Sequence, residues 1–318
     1  MTIKKIRRKK YAPIRKHRYK SKYVKGRIDR EKLINLAVNV TALILIGILS
    51  VFIYNSLTDK RVSLRQNADY VAAMRISYSD FRGLGRLSTQ RGMDFAQVLA
   101  YYFAENNFFR GMPTVNSEEY LSSEFLDGFR KIGSVYRRSD IEPLEDMFRV
   151  LLNEIKYFPI PESFQGQILD DYTFGDTWGA KRDYGGDRTH LGTDIIDTRN
   201  IRGRIPIVSM TEGRIMHIGW NELGGFRIGI VSESGTYYYY AHFAEFAPNL
   251  DVGSEVSAGE FLGFMGDTGY SQIEGTTGNF IVHLHIGIAY NAPFVDDVFW
   301  LNPYILLRNI EQGKIILN

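Results

Sequence analysis

The sequence predicts an α+β protein with an N-terminal transmembrane helix, a helical extracytoplasmic region and a mainly antiparallel β domain. Three observations lead to this prediction. Residues 33–54 carry no charge, residues 55 to about 158 place apolar side chains at helical spacing, and from about residue 170 short β-branched and aromatic runs are punctuated by glycine. A repeat of about 3.6 residues is typical of helices, and short runs bounded by turn residues are typical of strands.

The uncharged segment 33–54 has 22 residues. At about 1.5 Å per residue it is long enough to cross the ~30 Å hydrocarbon core of a bilayer. A cleaved signal peptide has a shorter apolar stretch, of about 7–15 residues, followed by a small-residue cleavage motif. A buried core helix is the other alternative, but apolar residues on every face favour a retained anchor in the cytoplasmic membrane.

Charge is divided unequally between the two sides of this segment. Residues 1–32 hold 15 basic and two acidic residues, a net charge of +13, and the rest of the chain has a net charge of −10. Because an excess of Lys and Arg marks the cytoplasmic flank, we predict that residues 1–32 form a cytoplasmic tail and that residues 55–318 lie outside the membrane. Such a tail also suits nucleic acid or anionic lipid, but it contains no recognisable nucleic-acid module, and we expect no nucleic-acid partner.

The composition limits the chemistry of the chain. Its 318 residues allow about two domains, and a hydrophobic content of 44% excludes a wholly disordered chain. The absence of cysteine excludes disulfides, CxxC redox pairs, thiolate zinc fingers and a cysteine nucleophile. Any transition-metal chemistry therefore depends on the six histidines.

Helices are predicted before residue 159. Apolar residues in Met93–Phe109 fall on one face. Asp140 is positioned to cap a further helix that has Pro143 near its start. Prolines at 159 and 161 favour extended chain and predict a boundary there.

These patterns predict five segments: a tail over 1–32, an anchor over 33–54, a helical stalk or regulatory region over 55–158, a linker over 159–169 and a β domain over 170–318. For the helical region a stalk, a cap over the functional site and a docking module for a protein partner remain open. The predicted strands of the β domain are Arg214–Trp220, Phe226–Glu233, Thr236–Phe243, Glu260–Gly266 and Ile281–Tyr290.

Five residues of the β domain carry the chemistry: His190 and Asp194 in HLGTD, His242 in YYYYAHF, and His283 and His285 in VHLHIGI. Residues at i and i+2 of a strand share a face, so the last two histidines point together. Two imidazoles and a carboxylate suit a zinc site with an open coordination position, which is typical of catalytic zinc. The sequence has no HExxH helix, and the glycine in HLGTD favours a strand or extended loop there.

The order of HLGTD, GRIMHIGW, YYYYAHF, GEFLGFMGDTGYS and VHLHIGI resembles the lysostaphin-type, LytM-domain zinc peptidases that cleave peptidoglycan. The resemblance covers roughly residues 170–290. It implies one Zn²⁺ per chain and a peptidoglycan substrate.

The resemblance also implies roles for individual residues. The zinc ligands would be His190, Asp194 and His285, and the non-ligand catalytic histidines would be His242 and His283. Tyr184, six residues before the first ligand, matches a tyrosine that some members aim at the reacting carbonyl oxygen.

This chain departs from the family pattern in two places. Several extra residues lie between Gly269 and His283, and we expect this loop to line the cleft. The run FGDTWGAKRDYGGDRTH replaces the usual FGxRxHP-like sequence. Tyr238 and Tyr240 alternate with His242, so either they form the groove floor or they pack in the core.

The sequence therefore predicts a membrane-anchored zinc metalloendopeptidase in which His283 acts as general base and His242, with Tyr184, stabilises the oxyanion. The roles of the two histidines are interchangeable at this stage. The alternative is a non-hydrolytic scaffold or activator of cell-wall remodelling that uses the same fold. The remaining histidines are read as structural (His217) and as part of the basic tail (His17).

Overall fold

The computed structural model describes residues 30–58, 62–106, 108, 123–130 and 136–317, and the chain divides into two compact units, residues 1–58 and 59–318. Each unit is described by itself. Most of the predicted basic tail, with His17, lies outside the described residues.

The first unit contains helix α1, Arg30–Thr58, which has 29 residues and includes the predicted span 33–54. Its stretch from Arg30 to Ile53 is long and apolar enough to cross a membrane by length and composition. Leu43 and Phe52 are 68% and 69% exposed. An N-terminal apolar helix is therefore confirmed.

The second unit begins with a bundle of short helices. After a 3₁₀ turn at Arg65–Asn67 these are α2 Ala68–Ala73, α3 Tyr78–Arg91, α4 Phe95–Glu105, α5 Ser123–Arg130 and α6 Arg138–Glu154, with α7 Tyr304–Ile310 near the C-terminus. Ser77 caps α3 by accepting from the amide of Asp80 at 3.0 Å, and Asp94 caps α4 by accepting from the amide of Ala96 at 2.9 Å. Each cap satisfies an amide that the first turn leaves unpaired.

The prediction that Asp140 caps its helix is wrong, because α6 has Arg137 as its N-cap. Asp140 lies in the first turn and accepts from the amide of Val62 at 3.3 Å. A carboxylate is favourable at both positions, since each is close to the positive end of the helix dipole.

The β part contains sixteen strands among the described residues. They are β1 Ser163–Phe164, β2 Gln167–Ile168, β3 Tyr172–Phe174, β4 Lys181–Arg182, β5 Arg188–Thr189, β6 Thr193–Asp197, β7 Pro206–Val208, β8 Gly213–Asn221, β9 Gly225–Val231, β10 Tyr237–Ala241, β11 Phe243–Phe246, β12 Glu255–Val256, β13 Phe261–Met265, β14 His283–Tyr290, β15 Phe299–Leu301 and β16 Ile316–Leu317. The main sheet has the order β12-β8-β9-β10-β14-β6-β3, with β15 beside β14, and a second sheet has the order β11-β13-β7. Every pair in these two sheets is antiparallel, which confirms the predicted fold class for this part of the chain.

The predicted strand Thr236–Phe243 is two strands, β10 and β11, in different sheets. His242 lies between them with φ of +69°, in the left-handed region that non-glycine residues rarely adopt. Its amide donates to the carbonyl of Gly224 at 2.8 Å, which holds this turn in place.

Helices and sheets pack within the same unit. The amide of Asn302 donates to the carbonyl of Ala72 at 2.8 Å, and its side chain donates to the carbonyl of Ala73 at 3.0 Å. At the other end of the helices, Tyr238 donates its hydroxyl to Glu154 of α6 at 3.1 Å. Buried side chains from the helices and from the main sheet belong to one continuous apolar core.

Candidate metal and catalytic site

Five residues from the three histidine motifs lie in the wall of one cavity of about 690 Å³: His190, Asp194, His242, His283 and His285. His285 of β14 lies directly opposite Asp194 of β6 in the register of the main sheet. His283 is two residues away on the same strand and lines the same cavity, as strand geometry predicts. His190 follows β5, and its amide donates to the carbonyl of Ala180 at 2.8 Å.

Three side-chain atoms converge to form a small triangle. The Nε2 atom of His190 lies 2.9 Å from Nδ1 of His285, and both atoms lie 3.0 Å from Oδ1 of Asp194. These three residues, which the sequence singles out, could hold a metal ion.

Gly192 lets these elements approach one another. A Cβ at this position would lie 2.4 Å from the carbonyl oxygen of Ile286 and 2.5 Å from Cε1 of His285. Real Cβ atoms do not come so close, so the glycine of HLGTD is needed for the approach of β14 rather than for its backbone freedom.

Backbone carbonyls fix the orientation of three imidazoles. The Nδ1 atoms of His190, His242 and His283 lie 3.1, 2.7 and 2.8 Å from the carbonyl oxygens of residues 177, 268 and 281. Because a carbonyl only accepts, each Nδ1 carries the proton and each Nε2 keeps a free lone pair. His242 and His283 are not part of the triangle, so their Nε2 lone pairs remain available beside it. The centroids of these two rings are 4.6 Å apart.

Asp194 is ionised. Burial alone would raise its pKa, but the imidazoles of His190 and His285 beside Oδ1, and charge interactions with His285 and His283, hold that pKa well below the usual range. The other carboxylate oxygen, Oδ2, accepts from Arg182 at 2.5 Å. The two oxygens are thus divided between the histidines and the guanidinium.

His242, His283 and His285 are neutral at pH 7. Burial is the main cause that lowers the pKa of His242, His283 and His285, and the neighbouring imidazoles lower it further for His242 and His285. A neutral imidazole can ligate a metal or accept a proton, which a protonated one cannot.

The cavity extends from the histidines along an aromatic wall. Tyr239 lies edge-on to His285, with ring centroids 5.9 Å apart, and Tyr237 and Trp300 continue the wall at 6.3 and 6.1 Å from Tyr239. Burial raises the pKa of Tyr237 to about 12, so its hydroxyl stays protonated at neutral pH.

Tyr238 and Tyr240 pack in the core, which was one of the two alternatives. Both are fully buried, and the Tyr240 hydroxyl accepts from the amide of Met210 at 2.8 Å. The left-handed backbone of His242 interrupts the alternation of the strand, so this histidine lies on the cavity side together with Ala241 and Tyr239.

Tyr184 does not contact the histidines, because the ring of Tyr270 lies between them. Its hydroxyl donates to Glu222 at 3.0 Å, and its ring stacks on Tyr270 with centroids 4.9 Å apart. Tyr270, which belongs to the extra loop after Gly269, lines the cavity and lies edge-on to His242 at 6.0 Å. His217, read from the sequence as structural, is exposed in the cavity wall, where its Nδ1 lies 3.1 Å from the hydroxyl of Tyr237.

The sequence motifs did not reveal the arginines of the site. Arg182 and Arg227 both line the cavity. Arg182 reaches Asp194 from the separate β4–β5 pair, and Arg227 shares the row of His285 through strand pairing, so spacing along the chain predicts neither position.

The β part has the fold of the LytM-type peptidases. The family model of peptidase family M23 matches residues 188–297. A solved structure from Ruminococcus gnavus, assigned as a glycyl-glycine endopeptidase LytM, is 33% identical with a TM-score of 0.62 and covers 80% of this chain and 98% of that chain. The chain belongs to peptidase family M23, and the likeness extends well beyond the β domain.

Two curated relatives carry different names. An L-Ala–D-Glu endopeptidase of Bacillus subtilis is 36% identical over 178 residues, which are 56% of this chain and 52% of the relative. Lysostaphin of Staphylococcus simulans is 35% identical over 127 residues, which are 39% of this chain and 22% of lysostaphin. The chain thus spans about half the length of the first relative and less than a quarter of the second.

Proposed function

We propose that this protein is a zinc endopeptidase that hydrolyses peptide bonds of bacterial peptidoglycan. The observation that carries the proposal is the triangle of His190 Nε2, Asp194 Oδ1 and His285 Nδ1, beside which two more histidines present free lone pairs. A metal site with three protein ligands leaves a position for water or substrate, which is typical of catalytic zinc.

The donor set fits zinc in chemistry and in size. Imidazole nitrogen and carboxylate oxygen are both zinc ligands, with bonds of about 2.0–2.1 Å, so the edge of a tetrahedral site is about 3.3 Å. The sides of the triangle, 2.9 and 3.0 Å, are slightly shorter. The hydrogen bond of His190 to a backbone carbonyl is the kind of outer partner that orients a ligating imidazole.

When bound, zinc would polarise the scissile carbonyl and lower the pKa of water. The side chains complete the chemistry. His283 is oriented with Nε2 3.9 Å from Oδ1 of Asp194, and we assign it as the general base that takes the proton of the attacking water.

His242 is the second non-ligand histidine. Its Nδ1–H is anchored to the carbonyl of residue 268, and its neutral ring faces that of His283. We assign it to stabilise the oxyanion and the leaving amine in the protonated form that it adopts during the reaction, in which Nε2 becomes a donor. The role at the oxyanion that the resemblance implies for Tyr184 requires its hydroxyl to leave Glu222 and enter the cavity when substrate binds. For Tyr184→Phe we then expect a lower kcat with unchanged zinc content.

Two bond types come from the names of the relatives. The Bacillus subtilis relative is named for an L-Ala–D-Glu bond and the Ruminococcus gnavus structure for a glycyl-glycine bond. Both are peptide bonds, and both fit a site that polarises a carbonyl.

We further propose that residues 33–54 anchor the protein in the cytoplasmic membrane. With 15 basic residues in 1–32, the N-terminal tail would be cytoplasmic and the peptidase domain, residues 170–318, extracytoplasmic, where peptidoglycan lies. Residues 55–158 would form a helical stalk or regulatory region with a possible protein partner, joined by the linker 159–169.

The test is hydrolysis of purified peptidoglycan by the full chain in detergent, with the released muropeptides identified by mass spectrometry. We expect His285→Ala to lose zinc and activity, and His283→Ala to keep zinc and lose activity by about 10²–10⁴-fold, the usual contribution of a general base. His217→Ala is the matched histidine control and should keep its zinc. A protein with full zinc content that releases no new amine from any peptidoglycan tested would be a scaffold instead.

A further inference from the structure

Arg227 of β9 is a guanidinium without an anion. It lines the cavity, and within the described part of the chain it has neither a hydrogen-bond nor an ion-pair partner, while its Nη1 atom is buried and unpaired. Of the other two cavity arginines, Arg182 is paired with Asp194. Arg188 has no carboxylate partner among the described residues either, but it donates its Nε–H to the carbonyl of Tyr184 at 2.7 Å and lies over the ring of Tyr270. A partly buried charge without a partner is unfavourable, and an anion arriving with a ligand would compensate for it.

The sheet register places Arg227 in line with the histidine cluster. Asp194, His285, Ala241 and Arg227 lie opposite one another on four successive strands, β6, β14, β10 and β9. Directly paired residues share a face. Because neighbouring strands are about 4.8 Å apart, the backbone of Arg227 lies about 10 Å from that of His285.

The cavity floor between His285 and Arg227 carries only a small side chain. Only the methyl group of Ala241 stands between His285 and Arg227 in this row. Along one side runs the aromatic wall, and two glycines make room for it: a Cβ at Gly229 would lie 2.0 Å from the Tyr237 hydroxyl, and one at Gly287 would lie 2.7 Å from Trp300. A substrate bound at the histidines can therefore extend over Ala241 to the guanidinium.

We propose that Arg227 binds a free carboxylate that the substrate carries beside the scissile bond, and that the substrate is therefore of the alanyl-glutamyl and not the glycyl-glycine type. This inference rests on the proposed peptidase function. A glutamyl residue has two carboxyl groups, and only one enters the peptide chain, so the other remains as an anion next to the leaving amine. Glycine offers no such group. An arginine binds carboxylates through two parallel hydrogen bonds.

The experiment compares two stem peptides that differ only in the glutamyl residue, which bears either its free carboxylate or the carboxamide. The full zinc-loaded chain should cleave the acid with a kcat/KM at least about tenfold higher than the amide, as expected for a charge-assisted hydrogen bond. In Arg227→Gln the rate for the acid should fall about 10–100-fold while the rate for the amide changes less than about threefold. Arg214→Gln is the matched control, because Arg214 lies on β8, pairs with Glu255 and does not line the cavity.

Equal cleavage of acid and amide by the unaltered protein would overturn the inference without any variant. So would an equal loss for both peptides in Arg227→Gln, since that would mean that Arg227 only packs against the tyrosines. If the zinc-loaded protein cleaves purified peptidoglycan but neither peptide, the inference is overturned and the proposed function stands. If it cleaves neither the peptides nor peptidoglycan, the proposed function fails. Calorimetry on the metal-free chain then decides the inference alone: tighter binding of the acid, abolished in Arg227→Gln, supports it, and equal binding overturns it.

Discussion

Arg182 and Asp194 form an ion pair in which one carboxylate oxygen is reserved for the guanidinium. Oδ2 accepts from Arg182 at 2.5 Å, whereas Oδ1 faces His190 and His285 at 3.0 Å. The guanidinium therefore fixes the orientation in which the carboxylate presents its other oxygen to the histidines.

For Arg182→Ala we expect zinc affinity to fall by about 10–100-fold, the usual cost of losing a group that orients a ligand. Loss of the positive charge of Arg182 would by itself raise the affinity for the zinc cation. This effect should be the smaller one, because the Arg182 side chain is 25% exposed and its charge is partly screened. Competition with a chelating dye measures the affinity. Arg202→Ala, which removes a pair with Asp267, is the control. Tighter zinc binding by Arg182→Ala would show that charge outweighs orientation.

Gly192→Ala should disturb the site without removing a polar group. Its Cβ would meet the carbonyl oxygen of Ile286 at 2.4 Å, so β6 and β14 must separate and the triangle must open. We expect a loss of stability of about 1–3 kcal/mol and weaker zinc binding, measured by thermal unfolding and by dye competition. Gly175→Ala is the matched control, because nothing lies within 4 Å of its Cβ. Equal behaviour of the two variants would contradict the close-approach argument.

The sequence predicts those parts of the site that depend only on the local geometry of one segment. The shared face of His283 and His285 follows from the two-residue period of a strand. The extended conformation around Gly192 follows from its motif.

Other parts depend on contacts between distant segments. His242 adopts a left-handed backbone, and its amide donates to the carbonyl of Gly224. Because of this turn, His242 faces the cavity together with Tyr239, whereas Tyr238 and Tyr240 are buried in the core. Arg227 reaches the row of His285 only through the register of three strands, β9, β10 and β14. Local periodicity contains neither fact.

The buried histidines should make the metal-free protein less stable in mild acid. Burial lowers the pKa of His242, His283 and His285 in the folded state, whereas in the unfolded chain histidine titrates near about 6.5. Below that pH the unfolded chain binds more protons, so the free energy of unfolding should fall as pH decreases, by up to about 1.4 kcal/mol per pH unit for each neutral histidine. Asp194, whose pKa is lowered, contributes stability above about pH 3.8, so its loss comes only at lower pH.

Urea unfolding of the chelator-treated protein between pH 7.5 and 5 at constant ionic strength measures this dependence. His242→Gln removes one titrating group and should make the dependence shallower. A free energy of unfolding that stays constant from pH 7.5 to 5 would contradict neutral histidines in the folded state.

The contact between Glu154 and Tyr238 should link the stability of the helices to that of the main sheet. The Tyr238 hydroxyl is fully buried and donates to Glu154 at 3.1 Å, so Glu154→Ala leaves it without its acceptor, at a cost of about 1–3 kcal/mol. Tyr238→Phe removes the donor instead and should cost less, because Glu154 stays partly exposed and still accepts from the amide of Ser234 at 3.3 Å. Combining the two substitutions should therefore cost less than the sum of the single effects in urea unfolding. Strict additivity would mean that this hydrogen bond does not couple helix α6 to strand β10.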